Sequence, residues 1–368
     1  MKFKMSTIKP GILYPRLCID IEKLKVNLAV LSAGLKNAGC SLALVTKSFC
    51  ADEKIVGMLA DSPLVDYLAD SRLQNLRKCA GRGKPTMLLR LPQACEIGDV
   101  ISFADISLNS EAATLKLLDA EAGRRRKRHN ILLMIDLGDL REGLYFTEEE
   151  KILKTAEALM GMPNLILYGV GVNLTCYGAV IPKKDSLSLL AAWAERIREH
   201  CGVELPMVSG GNSSSFYLAE KGELPAGINN LRLGEAFIVG REAAYKTRIK
   251  DTFDDAVILE AQIIEVQTKP SLPLGERGID AFGERPVFRD QGLIRRAICA
   301  VGRQDLDLRG IIPLDREVEI LGASSDHLIL NVDSSERNYR AGDTVSFIPN
   351  YIALLRLFTS PYIGRVYR

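Results

Sequence analysis

Residues 42–70 read LALVTKSFCADEKIVGMLADSPLVDYLAD, and the fold turns on how this stretch is parsed. Two apolar runs, LALVT at 42–46 and VDYLAD at 65–70, flank a helical pattern. Such alternation is the signature of βα units closing on a parallel sheet. The first run ends at Lys47, whose ammonium should prefer water. Two readings of that lysine are open: it snorkels its charge to the surface, or its amine is used covalently. An amine partly desolvated at a strand end is a nucleophile toward carbonyl cofactors, with which it forms a Schiff base.

Outward from this stretch the unit recurs. After an opening strand and helix from Arg16 onward, strands are expected at 42–46, 65–70, 86–91, 104–109, 130–137, 165–174, 206–211 and 230–237, which makes eight. Between them lie patterns such as 111–126 and 184–200, whose apolar positions recur at three and four. Eight strands each tied to a helix predict an α/β fold, a (β/α)8 TIM barrel. After Gly240 the texture changes to VILEAQIIEV, RRAICAVG, VEILGASSDHLILNV and TVSFIP, with turns at 324–326 and 341–343 and little helix, so a mainly β C-terminal domain follows. The expected division is an N-terminal segment at 1–15 packing with the β domain, a barrel at 16–244 and the β domain at 245–368. The Pro- and Gly-rich loop at 269–291 is long enough to be functional.

Composition narrows the class. The 368 residues carry 48 Lys+Arg against 46 Asp+Glu, a net charge of +2, so no global field argues for nucleic acid or an anionic membrane. RRRKR at 124–128 lacks aromatic interleaving and reads as a solvated helix end. Eight scattered cysteines without a C-x-x-C pair read as reduced thiols of a cytoplasmic protein. Three distant histidines make a histidine-based metal cage unlikely on spacing grounds, and no apolar stretch approaches a bilayer span.

Active sites of such barrels form at the carboxyl ends of the strands. Lys47 ends the first barrel strand, Arg141 follows the fifth, Asn173 ends the sixth, SGGNSSS at 209–215 follows the seventh, and RLGE at 232–235 belongs to the eighth. The loops after the seventh and eighth strands are the frequent phosphate site of this fold, where glycines admit backbone N–H groups to an anion and serines add donors. A phosphorylated aldehyde would account for both the cradle and the amine, and pyridoxal 5'-phosphate is that molecule. Arg232 opposite a pyridine nitrogen would keep that nitrogen unprotonated and weaken the ring as an electron sink, which favours reprotonation at Cα over transamination.

These residues resemble a known family. CADEKIVGMLADS, YLADSRLQNL, IDLGDLREG, GVNLTCYGAVIP, VSGGNSSS, ELPAGINNLRLGE and EILGASSDHLI make the chain similar to the alanine racemase-like, fold-type III pyridoxal-phosphate enzymes over nearly its whole length. Within them it looks like the ornithine racemase branch of predicted amino-acid racemases. The resemblance implies Lys47 as the Schiff-base lysine, Arg141 at the cofactor's phenolic oxygen and Asn173 where the family has a histidine flat against the ring. It further implies Ser213 as a phosphate ligand, Arg232 at the pyridine nitrogen, and Gly234 and Glu235 as backbone donors to phosphate. Two positions depart. The family's tyrosine four residues after the lysine is Ala51, with Tyr362 as a substitute phosphate ligand, and the tyrosine of I-G-Y-A-D-G is matched by Arg303, which cannot act as a base.

Inverting Cα needs a proton carrier on each face. The family's β domain reaches across a homodimer, so the second carrier is sought among Asp305, Asp326, His327 and Tyr351. A basic substrate such as ornithine or lysine needs a carboxylate in the pocket, for which Asp280, Glu276, Glu284 and Asp305 are candidates. Alternatives are a broad-specificity or alanine/serine racemase, a pyridoxal-phosphate aldolase, and a non-catalytic cofactor-binding regulator.

Overall fold

The structure, a computed structural model, describes residues 13–368. It divides into two compact units, Lys23–Asp254 on one side, and Asp255–Arg368 with the chain through Glu22 on the other. The first unit holds eight parallel strands: Ser41–Val45, Tyr67–Asp70, Thr86–Leu88, Ile106–Asn109, His129–Asp136, Leu165–Gly171, Met207–Asn212 and Asn230–Leu233. Each pairs with the next in chain order, and the eighth returns to the first through Leu231↔Leu42 and Arg232↔Ala43, closing the expected barrel. Alternate residues point inward as the period of a strand requires. Ala43, Val45, Ala69, Met87, Leu108, Leu132, Met134 and Met207 pack there as one buried cluster. Close approach is enforced at Gly169, where a Cβ would lie 1.9 Å from the carbonyl oxygen of Met207.

The helices follow from the same apolar spacing. Lys184–Cys201 buries Leu187, Leu190, Trp193, Ala194 and Ile197 on one face and stops at Gly202, whose φ of +64° suits a left-handed cap. The basic run at 124–128 ends the helix Ala112–Arg124, with Arg124 and Arg125 both paired to Glu121. Three strands stop at least three residues before their expected ends. The third stops at Leu88, with Arg90 beyond it held by Glu96 and the Ser71 carbonyl. The sixth stops at Gly171, leaving Asn173 just past its end, and the eighth stops at Leu233 because Glu235–Val239 is helical.

The domain boundary falls at Asp254/Asp255 instead of 244/245. Residues 241–254 stay with the barrel because the Asn27 side chain holds them: its amide donates to the carbonyls of Phe237 and Phe253, both at 2.9 Å, and its oxygen accepts the Phe253 N–H at 2.7 Å. The strand Arg16–Ile19, assigned above to the barrel, belongs to the β unit. There it pairs antiparallel with residues 257–260 and parallel with Gly364–Tyr367. The remaining strands run in the order Ile311–Pro313, Thr344–Pro349, Val257–Pro270, Leu293–Cys299, Leu328–Asn331, Glu319–Ala323, all antiparallel. Of the N-terminal segment, residues 1–12 lie outside the described residues, and the Pro15 carbonyl accepts from the Gly364 N–H at 2.9 Å.

His129 opens the fifth strand at 2% exposure, its Nε2 2.7 Å from the Ser107 hydroxyl. Burial pushes its imidazole down from 6.5 to about 4. Between those values the unfolded chain binds a proton that the folded chain refuses, so this contribution to stability is whole above pH 6.5 and is lost as pH falls toward 4. The loss is expected to be on the order of 3 kcal/mol. Urea unfolding across this range should show that slope in the wild type and a shallower one in His129→Gln.

Candidate active site

The first barrel strand is pinned at its end by the second. The Thr46 N–H donates to the Ala69 carbonyl at 2.8 Å and the Thr46 hydroxyl to the Asp70 carboxylate at 2.6 Å, after which a single 3-10 turn, Lys47–Phe49, carries the chain away. Phe49 is buried edge-on to Phe237, so the turn cannot swing outward, and Lys47 is left half-buried at the strand terminus. Asp70 is fully buried and also accepts from the Arg72 N–H at 2.8 Å and the Asn75 amide at 3.1 Å. Burial pushes its carboxyl up, opposed by those three donors and by the charge of Lys47. Burial likewise raises Glu235, opposed by the ion pair with Lys246 at 2.8 Å and again by Lys47.

The seventh and eighth strands meet beside this end. Gly211 takes a φ of +112°, and a Cβ there would lie 2.7 Å from the Ser215 hydroxyl. The chain then makes the turn Ser213–Ser215, capped by the Asn212 side chain, which accepts the Ser214 N–H at 2.8 Å. The Ser213 hydroxyl accepts the N–H groups of Gly234 and Ala236 at 3.3 and 3.1 Å. Gly234 must be small, since a Cβ would sit 2.9 Å from that of Val45, two residues before Lys47. Amine and donor cradle therefore share one rim of the barrel. The hydroxyls of Ser48 and Ser214 are buried without a protein partner. Such a set of hydroxyl and backbone donors suits an anion with several oxygens.

Arg232 crosses the barrel interior at 2% exposure. Its Nη1 donates to the Ser209 hydroxyl, and its Nη2 donates to the Val172 carbonyl at 2.6 Å and to the Asn173 Oδ1 at 2.7 Å. A guanidinium has five N–H donors, so the three in use leave capacity for a ring nitrogen. Burial pulls Arg232 down to about 10, which still keeps it protonated at neutral pH. The other face of the Asn173 amide donates to Glu142, and Glu142 receives both Nε and Nη2 of Arg141. Burial would lower Arg141, but its hydrogen bonds to Glu142 win and its guanidinium lies above its ordinary value. Asn173 thus serves as a link between carboxylate and guanidinium in the protein, a contact that residue spacing alone does not reveal.

Of the remaining sequence candidates, Asp305, Asp326, His327, Tyr351 and Tyr362 belong to the β unit. Asp305, 4% exposed, accepts from the Ser360 hydroxyl at 2.6 Å, and that hydroxyl accepts the Tyr362 N–H at 3.1 Å; the Tyr362 side chain is exposed. Gln304 donates to Asp326, and the Arg303 N–H donates to the Ser324 carbonyl at 2.9 Å, so Asp305 and the turn at 324–327 share a corner. His327 is exposed there, its Nδ1 3.4 Å from the Ser324 hydroxyl, while Tyr351 opens the helix Tyr351–Leu357. Asp280 accepts the N–H groups of Phe282 and Glu284, and the Glu284 N–H above all holds its carboxyl below the usual range. Glu284 pairs with Arg303 at 2.8 Å, whose guanidinium also lies 4.6 Å from the Phe282 ring centroid. Glu276 is exposed on the same loop.

Three carboxylates, two buried and one half-buried, escaped the reading of the sequence. Asp70 ends a strand at the carboxyl rim, the rule that singled out Lys47, and could have been found by it. Asp139 is fully buried and gathers the N–H groups of Cys176, Tyr177 and Val180 at 3.2, 2.9 and 3.2 Å, fixing the loop after the sixth strand. Glu142 gave no signal, since an acid next to an arginine in a loop is ordinarily a surface pair. Among the described residues no group of three or more His, Cys, Asp or Glu side chains is placed to hold a metal ion, and no helix is long and apolar enough to cross a membrane.

Comparison with known proteins gives concordant matches. The family model described as alanine racemase, N-terminal domain, matches residues 19–241. An ornithine racemase of Acetoanaerobium sticklandii is 50% identical over 353 residues, covering 96% of this chain and 99% of that protein. A lysine racemase of Thermotoga maritima is 38% identical over 357 residues, covering 96% and 98%. Among solved structures, alanine racemase from Bartonella henselae with covalently bound pyridoxal phosphate superposes with a TM-score of 0.73 at 16% identity, over 97% of this chain and 100% of that one.

A lysine at position 232 could not span Ser209, Val172 and Asn173 together, because one ammonium lacks the planar fork of a guanidinium. Arg232→Lys is expected to cost about 2–3 kcal/mol in urea unfolding of the cofactor-free protein through the acceptors it orphans. An unchanged midpoint would show that these contacts do not hold the barrel interior.

Proposed function

Since the chain belongs to the alanine racemase family, we propose that it interconverts the L and D forms of a basic amino acid, ornithine first and lysine next, with pyridoxal 5'-phosphate held in the barrel. It is an amino-acid racemase, an isomerase. The observation that carries the reading is the buried Arg232, fixed by three acceptors in the same barrel as Lys47 and the cradle at Ser213. When bound, pyridoxal phosphate supplies a carbonyl that an amine can engage and a conjugated ring that takes up the electron pair left at Cα.

The chain's own residues then divide the work. Ser213, with the N–H groups of Gly234 and Glu235, would hold the phosphate, helped by Tyr362. Arg141 would meet the phenolic oxygen, and Asn173 would lie against the ring. Arg232 would donate to the ring nitrogen and cannot surrender its proton, so it limits how much charge the ring accepts and favours return of a proton to Cα. Lys47 would move the proton on one face, its amine kept at the rim by the Thr46–Asp70 contact. The proton on the other face would come from Asp305, Asp326, His327 or Tyr351 of a second subunit in a homodimer. The distal ammonium of the substrate would be received by a carboxylate among Asp280, Glu276, Glu284 and Asp305. Asp280, Glu284 and Asp305 already have partners in their own unit, which favours Glu276 for that contact. The eight cysteines are all free thiols, as suits a cytoplasmic protein.

Purified protein supplied with pyridoxal phosphate is expected to turn yellow and, after borohydride, to carry the adduct on Lys47. Ornithine and lysine should be racemised at least about tenfold faster than alanine or serine. Lys47→Ala should lose about a thousandfold or more. Replacing the four β-unit candidates singly, while following solvent deuterium into each enantiomer, identifies the second proton carrier. Alanine turnover without ornithine turnover would overturn the substrate, and a colourless protein the cofactor.

A further inference from the structure

We propose that Glu142 is a positioning residue: through the amide of Asn173 it fixes the orientation of Arg232, and it keeps the two arginines of the barrel site charged together. This rests on the cofactor reading above and extends it to a residue that touches neither arginine's expected ligand.

Arg232 is buried, yet its three partners, a hydroxyl, a backbone carbonyl and an amide oxygen, are all neutral. A buried cation without a carboxylate against it needs compensation from further away. Glu142 lies one residue removed. One of its oxygens receives the Asn173 amide and Nη2 of Arg141, the latter at 2.5 Å, and the other receives Nε of Arg141. Its side chain is only 14% exposed, so its charge is weakly screened.

The direction of the Asn173 amide is then dictated by chemistry. A carboxylate only accepts and a guanidinium only donates, so the NH2 must face Glu142 and the oxygen must face Arg232. The far end of Arg232 is equally directional: the Ser209 hydroxyl accepts from it and donates to Asn230 Oδ1 at 2.6 Å, and the Asn230 amide donates to the Ser41 hydroxyl at 3.0 Å. A single chain of oriented bonds thus runs from Arg141 to Ser41 with Arg232 in its middle. Removing the Glu142 charge leaves two guanidiniums in mutual repulsion and the Asn173 NH2 without a charged acceptor to hold its amide in place.

The test uses the cofactor-loaded protein and reads the pH midpoint of the visible absorption band of the lysine-bound cofactor, not turnover. Glu142→Gln keeps size and removes the charge. Loss of an anion disfavours every nearby cation, so the midpoint should fall by about one unit, a tenfold loss of proton affinity. Glu142→Asp, which retains the charge, should recover most of the shift. Asn173→Ala should shift the midpoint in the same direction, and the double variant no further, because the relay is already cut. An unmoved midpoint in Glu142→Gln, or shifts that add in full in the double variant, would overturn the proposal and confine Glu142 to Arg141. Where Glu142→Gln does not fold, Asn173→Ala decides alone, and an unmoved midpoint sinks the idea. A wild type without a cofactor band instead defeats the underlying reading, and this inference with it.

Discussion

A guanidinium inside a barrel has to be met by oxygen atoms, and the contacts of Arg232 tie three strands of this one together. Its contacts span three consecutive strands: Val172 and Asn173 after the sixth, Ser209 within the seventh, and, through Ser209, Asn230 at the start of the eighth. Losing any of them would leave a buried charge unsatisfied, which is more damaging than the bond itself is favourable. The constraint therefore fixes three strands relative to one another with a direction that apolar packing lacks.

A second link, on the adjoining part of the rim, joins the first and second strands. Thr46 donates to Asp70 immediately before Lys47, so the lysine leaves the barrel at a fixed point. Val45 against Gly234 brings this end beside the serine-rich turn. The rim is thus held by directed bonds and close contact where backbone donors converge.

The β unit shows the reverse economy. Arg303, at a position where the related family carries a tyrosine, is committed to Glu284 and to the face of Phe282. It thereby anchors the long loop to the corner that holds Asp305 and Asp326. A residue that departs from the family pattern here has a structural occupation, and the acids around it are mostly tied to hydroxyl or backbone donors.

Periodicity alone determined the barrel, because eight apolar runs spaced by helical patterns admit few other closures, and the rule that barrel sites gather at carboxyl ends picked out Lys47, Arg141, Asn173, Ser213 and Arg232. The texture change after Gly240 announced the β unit. Sequence could not place the boundary, since the Asn27 side chain that retains residues 241–254 lies more than two hundred positions away. Nor could it assign Arg16–Ile19 to the β unit, because a strand's partners are set by long-range pairing and not by its own composition. Glu142 and Asp139 became visible only in three dimensions: whether a carboxylate is a solvated charge or the keystone of a buried network depends on what folds against it, and that is not written in its neighbours along the chain.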